Sequence, residues 1–160
     1  MKGDQEGTKI DVPPSMYNGR LDEKGRLKLS VDLQKYFHSF PSKRLFVTSL
    51  EQNTARIYPM EIWRQNEKFL REHQGAPQET KNVAFMAALT GSETEIDAQG
   101  RVLFSTDLRS RANLENQQLK LYSNKGHIAV LNEIEFQNRF AMASLTPRQD
   151  VESLERNGLQ

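Results

Sequence analysis

Sliding the chain against itself by 75 residues lays Asp22-Glu23-Lys24-Gly25-Arg26-Leu27 on Asp97-Ala98-Gln99-Gly100-Arg101-Val102. At the same offset Leu29 meets Phe104, Ser30 meets Ser105, Asp32 meets Asp107 and Leu33 meets Leu108. With one or two residues of slippage Leu45 then meets Leu119, Ile57 meets Val130 and Trp63 meets Phe136. Identities in this order and without a gap mark an internal duplication, and a duplicated chain folds as two packed copies of one unit. The copies span residues 15–63 and 90–140. Residues 64–89 form a helical insert between them, residues 1–14 a polar flexible arm, and residues 141–160 a helix end and tail.

Each copy opens with the pattern of a β-hairpin. Tyr17 to Leu21 runs into Asp22-Glu23-Lys24-Gly25, after which Leu27 and Leu29 alternate with Arg26 and Lys28. Asp at the start of a turn bonds the backbone ahead, and Gly supplies a positive φ. A period of two sets Leu27 and Leu29 on the core face, with Arg26 and Lys28 on the other. The second copy repeats this with Asp97, Gly100 and Arg101, although Gln99 replaces Lys24 and Leu103 replaces Lys28. Ser30 and Ser105 then stand where a helix N-cap is favoured, each followed by an acidic residue in the first turn. Helices are expected to about Phe37 and Ala112. Strands follow over 44–49, 54–58, 119–123 and 127–131, and helices over Met60 to about His73 and Glu133 to about Leu145. The insert reads as a helix over 78–89 that carries Val83, Phe85 and Met86, three apolar residues expected to meet neighbouring chains. Trp63 and Phe136 are expected as equivalent core residues, and Val151 and Leu154 suit a short tail helix that docks weakly. The fold class is therefore α+β, mainly β, built from two repeats with peripheral helices.

Composition narrows the chemistry. Of the 160 residues, 38 are Leu, Ile, Val or Phe, enough for a real core. Cysteine is absent, which excludes disulfides, thiol nucleophiles and thiolate metal sites. The apolar run from Val83 to Leu89 is too short to span a bilayer, and no signal-like N-terminus is seen, so a cytosolic protein is expected. His38, His73 and His127 stand isolated, and no phosphate loop or nucleophile motif occurs. Asp22 and Asp97 fit turn chemistry better than a catalytic pair. No catalytic residue, metal or cofactor is expected.

The net charge of +1 conceals an alternation: residues 15–50 carry +4 and residues 99–126 carry +3, between acidic stretches. Both basic blocks hold the turn followed by Arg. A hairpin with Lys24, Gly25 and Arg26 at its tip presents cations on a ribbon narrow enough for the major groove of DNA. The candidate contact residues are Lys24, Arg26, Lys28, Gln99 and Arg101, on turns shaped by Asp22, Gly25, Asp97 and Gly100.

Leu21-Asp22-Glu23-Lys24-Gly25-Arg26-Leu27-Lys28-Leu29 and Ile96-Asp97-Ala98-Gln99-Gly100-Arg101-Val102 resemble the doubled Asp-x-x-Gly-Arg signature of the MraZ proteins. Ile57-Tyr58-Pro59-Met60-Glu61-Ile62-Trp63 is similar to the strand-to-helix join of that family. The resemblance covers about residues 15–140. It implies two AbrB-like swapped-hairpin halves closing one β-barrel, with chains assembled into rings. It further implies a nucleoid-associated bacterial transcriptional regulator, usually a repressor of the division and cell-wall gene cluster that starts with its own gene, bound to short promoter repeats. The chain departs from the family in its polar arm before Ser15-Met16-Tyr17 and in Val31 and Thr106, where Pro is common. Two other classes fit the same barrel: an antitoxin-like protein-binding module, which would call for a longer apolar tail, and a purely structural ring, which would need no Arg in both copies.

Overall fold

The computed structural model describes residues 14–160, so all but the last residue of the expected N-terminal arm lies outside the described residues. The first copy and the insert after it contribute β1 (Tyr17–Gly19), β2 (Arg26–Lys28), α1 (Val31–His38), β3 (Arg44–Thr48), β4 (Thr54–Pro59), α2 (Met60–Glu72) and α3 (Pro77–Thr90). The second copy and the tail contribute β5 (Ser92–Glu95), β6 (Arg101–Leu103), α4 (Thr106–Arg111), β7 (Leu119–Asn124), β8 (His127–Leu131), α5 (Glu133–Ala143) and α6 (Pro147–Glu155). The order of strands and helices is the same in both. The helix after the first copy thus has a counterpart in the tail, and each of the two opens on a proline, Pro77 and Pro147.

Local chemistry accounts for the element starts. Ser30 Oγ accepts the N–H of Leu33 at 3.3 Å and Ser105 Oγ that of Leu108 at 3.2 Å, capping α1 and α4. Asn132 Oδ1 caps α5 by accepting from Glu135 N–H at 2.9 Å. Its amide nitrogen meanwhile donates to Asn53 Oδ1 and to the carbonyl of Asn113. One buried side chain thereby ties the start of α5 to both copies.

The strands exchange partners between copies. β1 lies antiparallel to β7, with Tyr17 opposite Leu121, and β5 lies antiparallel to β3, with Leu45 opposite Thr94. β4 pairs with β8, and β2 pairs with β6. A six-stranded sheet in the order β1-β7-β8-β4-β3-β5 results, symmetric about its middle, together with a two-stranded ribbon of β2 and β6. This corrects the expectation of a local hairpin at the start of each copy. In the first copy the turn forms, but a lone bridge between Leu21 and Leu27 joins its arms. A single short hairpin cannot bury its own apolar face. The exchange puts Leu27 and Leu29 of one copy and Val102 and Phe104 of the other into one core, each at most 1 % exposed. Every such side chain removed from water contributes on the order of 1.5–3 kcal/mol.

A smaller cluster of Tyr58, Met60, Trp63 and Ala87 sits where α3 returns over α2. Trp63 is buried and stacks on Phe46 with centroids 4.3 Å apart. Phe136 is only half-buried, with Lys120 Nζ 5.2 Å from its ring centre, so the expected equivalence in the core fails. The reason lies in the following helix. α3 buries Ala87 and Thr90, whereas α5 and α6 bury no residue. Val151 and Leu154 are exposed on α6, which forms as a helix without docking through them. Of the three apolar insert residues, Phe85 is exposed at 67 % and Val83 and Met86 are half-buried.

Candidate nucleic-acid interface

The two Asp-x-x-Gly-Arg turns have the same geometry. Asp22 Oδ1 accepts the backbone N–H groups of Lys24 and Arg26, both at 2.9 Å, and its Oδ2 accepts from Arg26 Nε at 2.7 Å. Asp97 Oδ1 accepts those of Gln99 and Arg101 at 2.9 Å, and its Oδ2 accepts from Arg101 Nε at 2.8 Å. Each carboxylate therefore shapes its turn and holds its arginine from behind. The backbone bond from the arginine is the main cause that keeps both carboxyls below the ordinary carboxylate range, and the guanidinium adds to it. Gly25 and Gly100 complete the turns with φ of +81° and +79°, a region costly for any residue with a Cβ.

Strand pairing then joins what the sequence separates by 75 positions. In the ribbon Arg26 stands opposite Leu103, Leu27 opposite Val102, and Lys28 opposite Arg101. Leu27 and Val102 point into the core and are fully buried. Arg26, Lys28, Arg101 and Leu103 consequently share the outer face of one ribbon. The ends are tied by two further bonds, Leu29 N–H to the carbonyl of Gly100 at 2.9 Å and Phe104 N–H to that of Gly25 at 2.8 Å. Lys28 Nζ reaches the carbonyl of Gln99. The guanidinium groups of Arg26 and Arg101 keep partial exposure, with side chains 29 % and 27 % accessible. Lys24 and Gln99 lie at the two turns, Lys24 exposed and Gln99 likewise. All five candidate residues are thus brought into one ribbon and its ends.

Two residues escaped the sequence reading. A Cβ added at Gly25 would fall 2.6 Å from Arg109 Cζ, and one added at Gly100 would fall 2.6 Å from Gln34 Cδ. Arg109 of α4 therefore lies against the first turn, and Gln34 of α1 against the second. Each copy's helix covers the other copy's turn. The signal was available, because Gln34 and Arg109 are themselves 75 residues apart.

Elsewhere the chain offers little chemistry. A groove of about 510 Å³ runs between α2 and α3 over Phe46, Trp63 and Leu70, with Glu67 and Arg71 as its ionisable lining residues. It shares no lining residue with the ribbon. Among the described residues no group of three His, Asp or Glu side chains is placed to hold a metal ion. None of the helices among them is long and apolar enough to cross a membrane.

The chain matches no protein-family model. It is 29 % identical over 140 residues to the transcriptional regulator MraZ of Acidobacterium capsulatum, covering 88 % of this chain and 94 % of that one. The transcriptional regulator MraZ of Koribacter versatilis is 30 % identical over 118 residues, 73 % of this chain and 74 % of its own. That of Syntrophobacter fumaroxidans is 33 % identical over 102 residues, 62 % and 66 % of the two chains. These relatives are named as regulators and not as enzymes. With doubled turns of one geometry, a copy order that repeats through both halves and relatives matched over most of their length, the chain belongs to the MraZ family.

Proposed function

We propose that this chain is a sequence-specific DNA-binding transcriptional regulator that reads DNA with the outer face of the β2–β6 ribbon. The observation that carries the reading is the convergence of Arg26, Lys28 and Arg101 on one face of one ribbon. The relatives' names as transcriptional regulators support it. A two-stranded ribbon fits the major groove, about 12 Å wide. Arg26 and Arg101, oriented through Nε by Asp22 and Asp97, are the base-reading side chains, and Gly25 and Gly100 let the backbone approach. Lys24 and Lys28 neutralise phosphates, and Gln99 takes the place of Lys24 at the second turn. Residues 15–63 and 90–140 act as AbrB-like halves of one swapped-hairpin barrel, flanked by the arm, insert and tail. In the cell the protein works in the cytoplasm on the nucleoid, as a ring on tandem promoter repeats, repressing its own division and cell-wall gene cluster. Neither a cofactor nor a small-molecule substrate enters this reading.

The test is a gel-shift titration with the DNA upstream of the chain's own gene against a scrambled duplex of the same composition. The wild type retards the upstream fragment at lower concentration. Arg26→Ala removes that preference and Arg101→Ala reduces it. Equal retardation of both duplexes by the wild type would reject sequence-specific binding.

A further inference from the structure

We propose that the DNA-facing ribbon has two chemically different ends, and that Arg109 anchors a phosphate at the Gly25 end, so that the chain sits on DNA in one orientation. This rests on the DNA-binding reading above and deepens it. The two ends carry equal formal charge: Lys24, Arg26 and Arg109 against Asp22 and Glu23 at one, and Lys28 and Arg101 against Asp97 at the other. What differs is which cations are available.

At the Gly100 end, Lys28 Nζ already donates to the carbonyl of Gln99, and Arg101 Nη2 donates to Gln99 Oε1 at 3.1 Å. The residue lying on that turn is the neutral Gln34, whose Nε2 donates to the carbonyl of Leu29 at 2.8 Å. At the Gly25 end, Arg26 uses Nε on Asp22, and its two terminal nitrogens make no hydrogen bond with the described residues. Arg109 lies on that turn and donates from Nη2 to Thr106 Oγ1 at 3.0 Å and from Nε to the carbonyl of Ser105 at 3.4 Å. Among the described residues it has no carboxylate partner. The guanidinium of this half-buried arginine, fixed by two neutral acceptors and without a counter-anion among the described residues, is preorganised for a phosphate oxygen. Across the ribbon Arg26 faces the apolar Leu103, while Lys28 faces Arg101, so the ends also differ toward the bases.

The first measurement is affinity against salt on the shortest duplex that the wild type retards. Arg109→Gln should weaken binding about tenfold to this duplex and to random DNA alike, and reduce the salt slope by about one. Arg109→Lys, which keeps the cation, should retain the wild-type slope, with a thermal melt to check folding of both. An unchanged slope in Arg109→Gln, or the same loss in Arg109→Lys, would overturn the assignment of Arg109. The second measurement uses the absence of native cysteine. An iron chelate tethered to Glu23→Cys or to the equivalent Ala98→Cys cuts DNA near its own turn. Each probe should cut one flank of the bound site, and the two flanks should differ. In the Gln34→Arg, Arg109→Gln double variant that separation should be lost or reversed. Identical two-flank cutting by both probes overturns the single orientation while leaving DNA binding intact, and unchanged flanks in the double variant overturn the role of Arg109. Absence of a retarded band and of cutting overturns the DNA-binding reading, and this inference with it.

Discussion

Asp22 serves two purposes with one carboxylate, and they are separable. Its Oδ1 holds the turn through two backbone N–H groups, and its Oδ2 holds Arg26. Asp22→Asn keeps an acceptor for the backbone but loses the charge that grips the guanidinium, whereas Asp22→Ala loses both. Melting curves and operator titrations of the two should therefore diverge: near-native melting with weakened discrimination for Asn, and lowered melting as well for Ala. Because the folded-state carboxyl titrates below its ordinary range, its contribution is complete at neutral pH and is lost as pH falls below that range. His127 changes stability with pH in the same direction but in a milder window, because the fold favours its neutral form. It is 3 % exposed, its Nε2 has no hydrogen-bond partner, and burial with nearby Arg56 and Lys125 lowers its pKa to about 4. The unfolded imidazole titrates near 6.5, so the unfolded chain binds the extra proton first as pH falls. Stability should accordingly drop between about pH 6.5 and pH 4, by roughly 3 kcal/mol in full. Urea unfolding at stepped pH checks this, and His127→Gln should flatten the profile in that window.

At the scale of elements, one hydroxyl ties the end of α3 to the end of β3. Thr90 Oγ1 bonds Thr48 Oγ1 and accepts the N–H of Ser49, each at 2.9 Å, all within buried surroundings. Thr90→Val preserves the side-chain shape and strands the Ser49 N–H. It should cost about 1–3 kcal/mol, measurable by denaturant titration. A change of less than about 0.5 kcal/mol would show that water reaches that N–H. The element boundaries were largely legible beforehand. Ser30, Ser105 and the two Gly-Arg turns announce where helices begin and chains reverse, since capping and turn chemistry act within about four residues. The partner of each short strand was not. β2 has three residues with nothing in its own sequence to prefer β6 over the arm beyond its turn, and the joint burial of Leu27, Leu29, Val102 and Phe104 decides it.

For the whole molecule, the two copies are alike at their centre and unlike at their rim. α3 closes over α2, while α5 and the turn after it leave Phe140, Met142 and Leu145 exposed at 59 %, 73 % and 76 %. Exposed apolar surface of this kind marks association. Sedimentation velocity should accordingly show a species several times 18.4 kDa, reduced in size by Phe140→Glu together with Met142→Glu. A monomer unaffected by either substitution would leave α5 without that role.

Sequence alone determined the duplication, both turns with their Asp, Gly and Arg, the helix caps and the alternation that buries Leu27 and Leu29. All of these are written in residues a few positions apart, where hydrogen bonding and period are sufficient. Tertiary structure alone decided that Trp63 is core while Phe136 is not, that the two Gly-Arg strands form one ribbon, and that Arg109 and Gln34 cover each other's turns. Those outcomes join positions tens of residues apart. They follow from the need of two short, half-apolar copies to share a single core, because neither can bury its own apolar face alone.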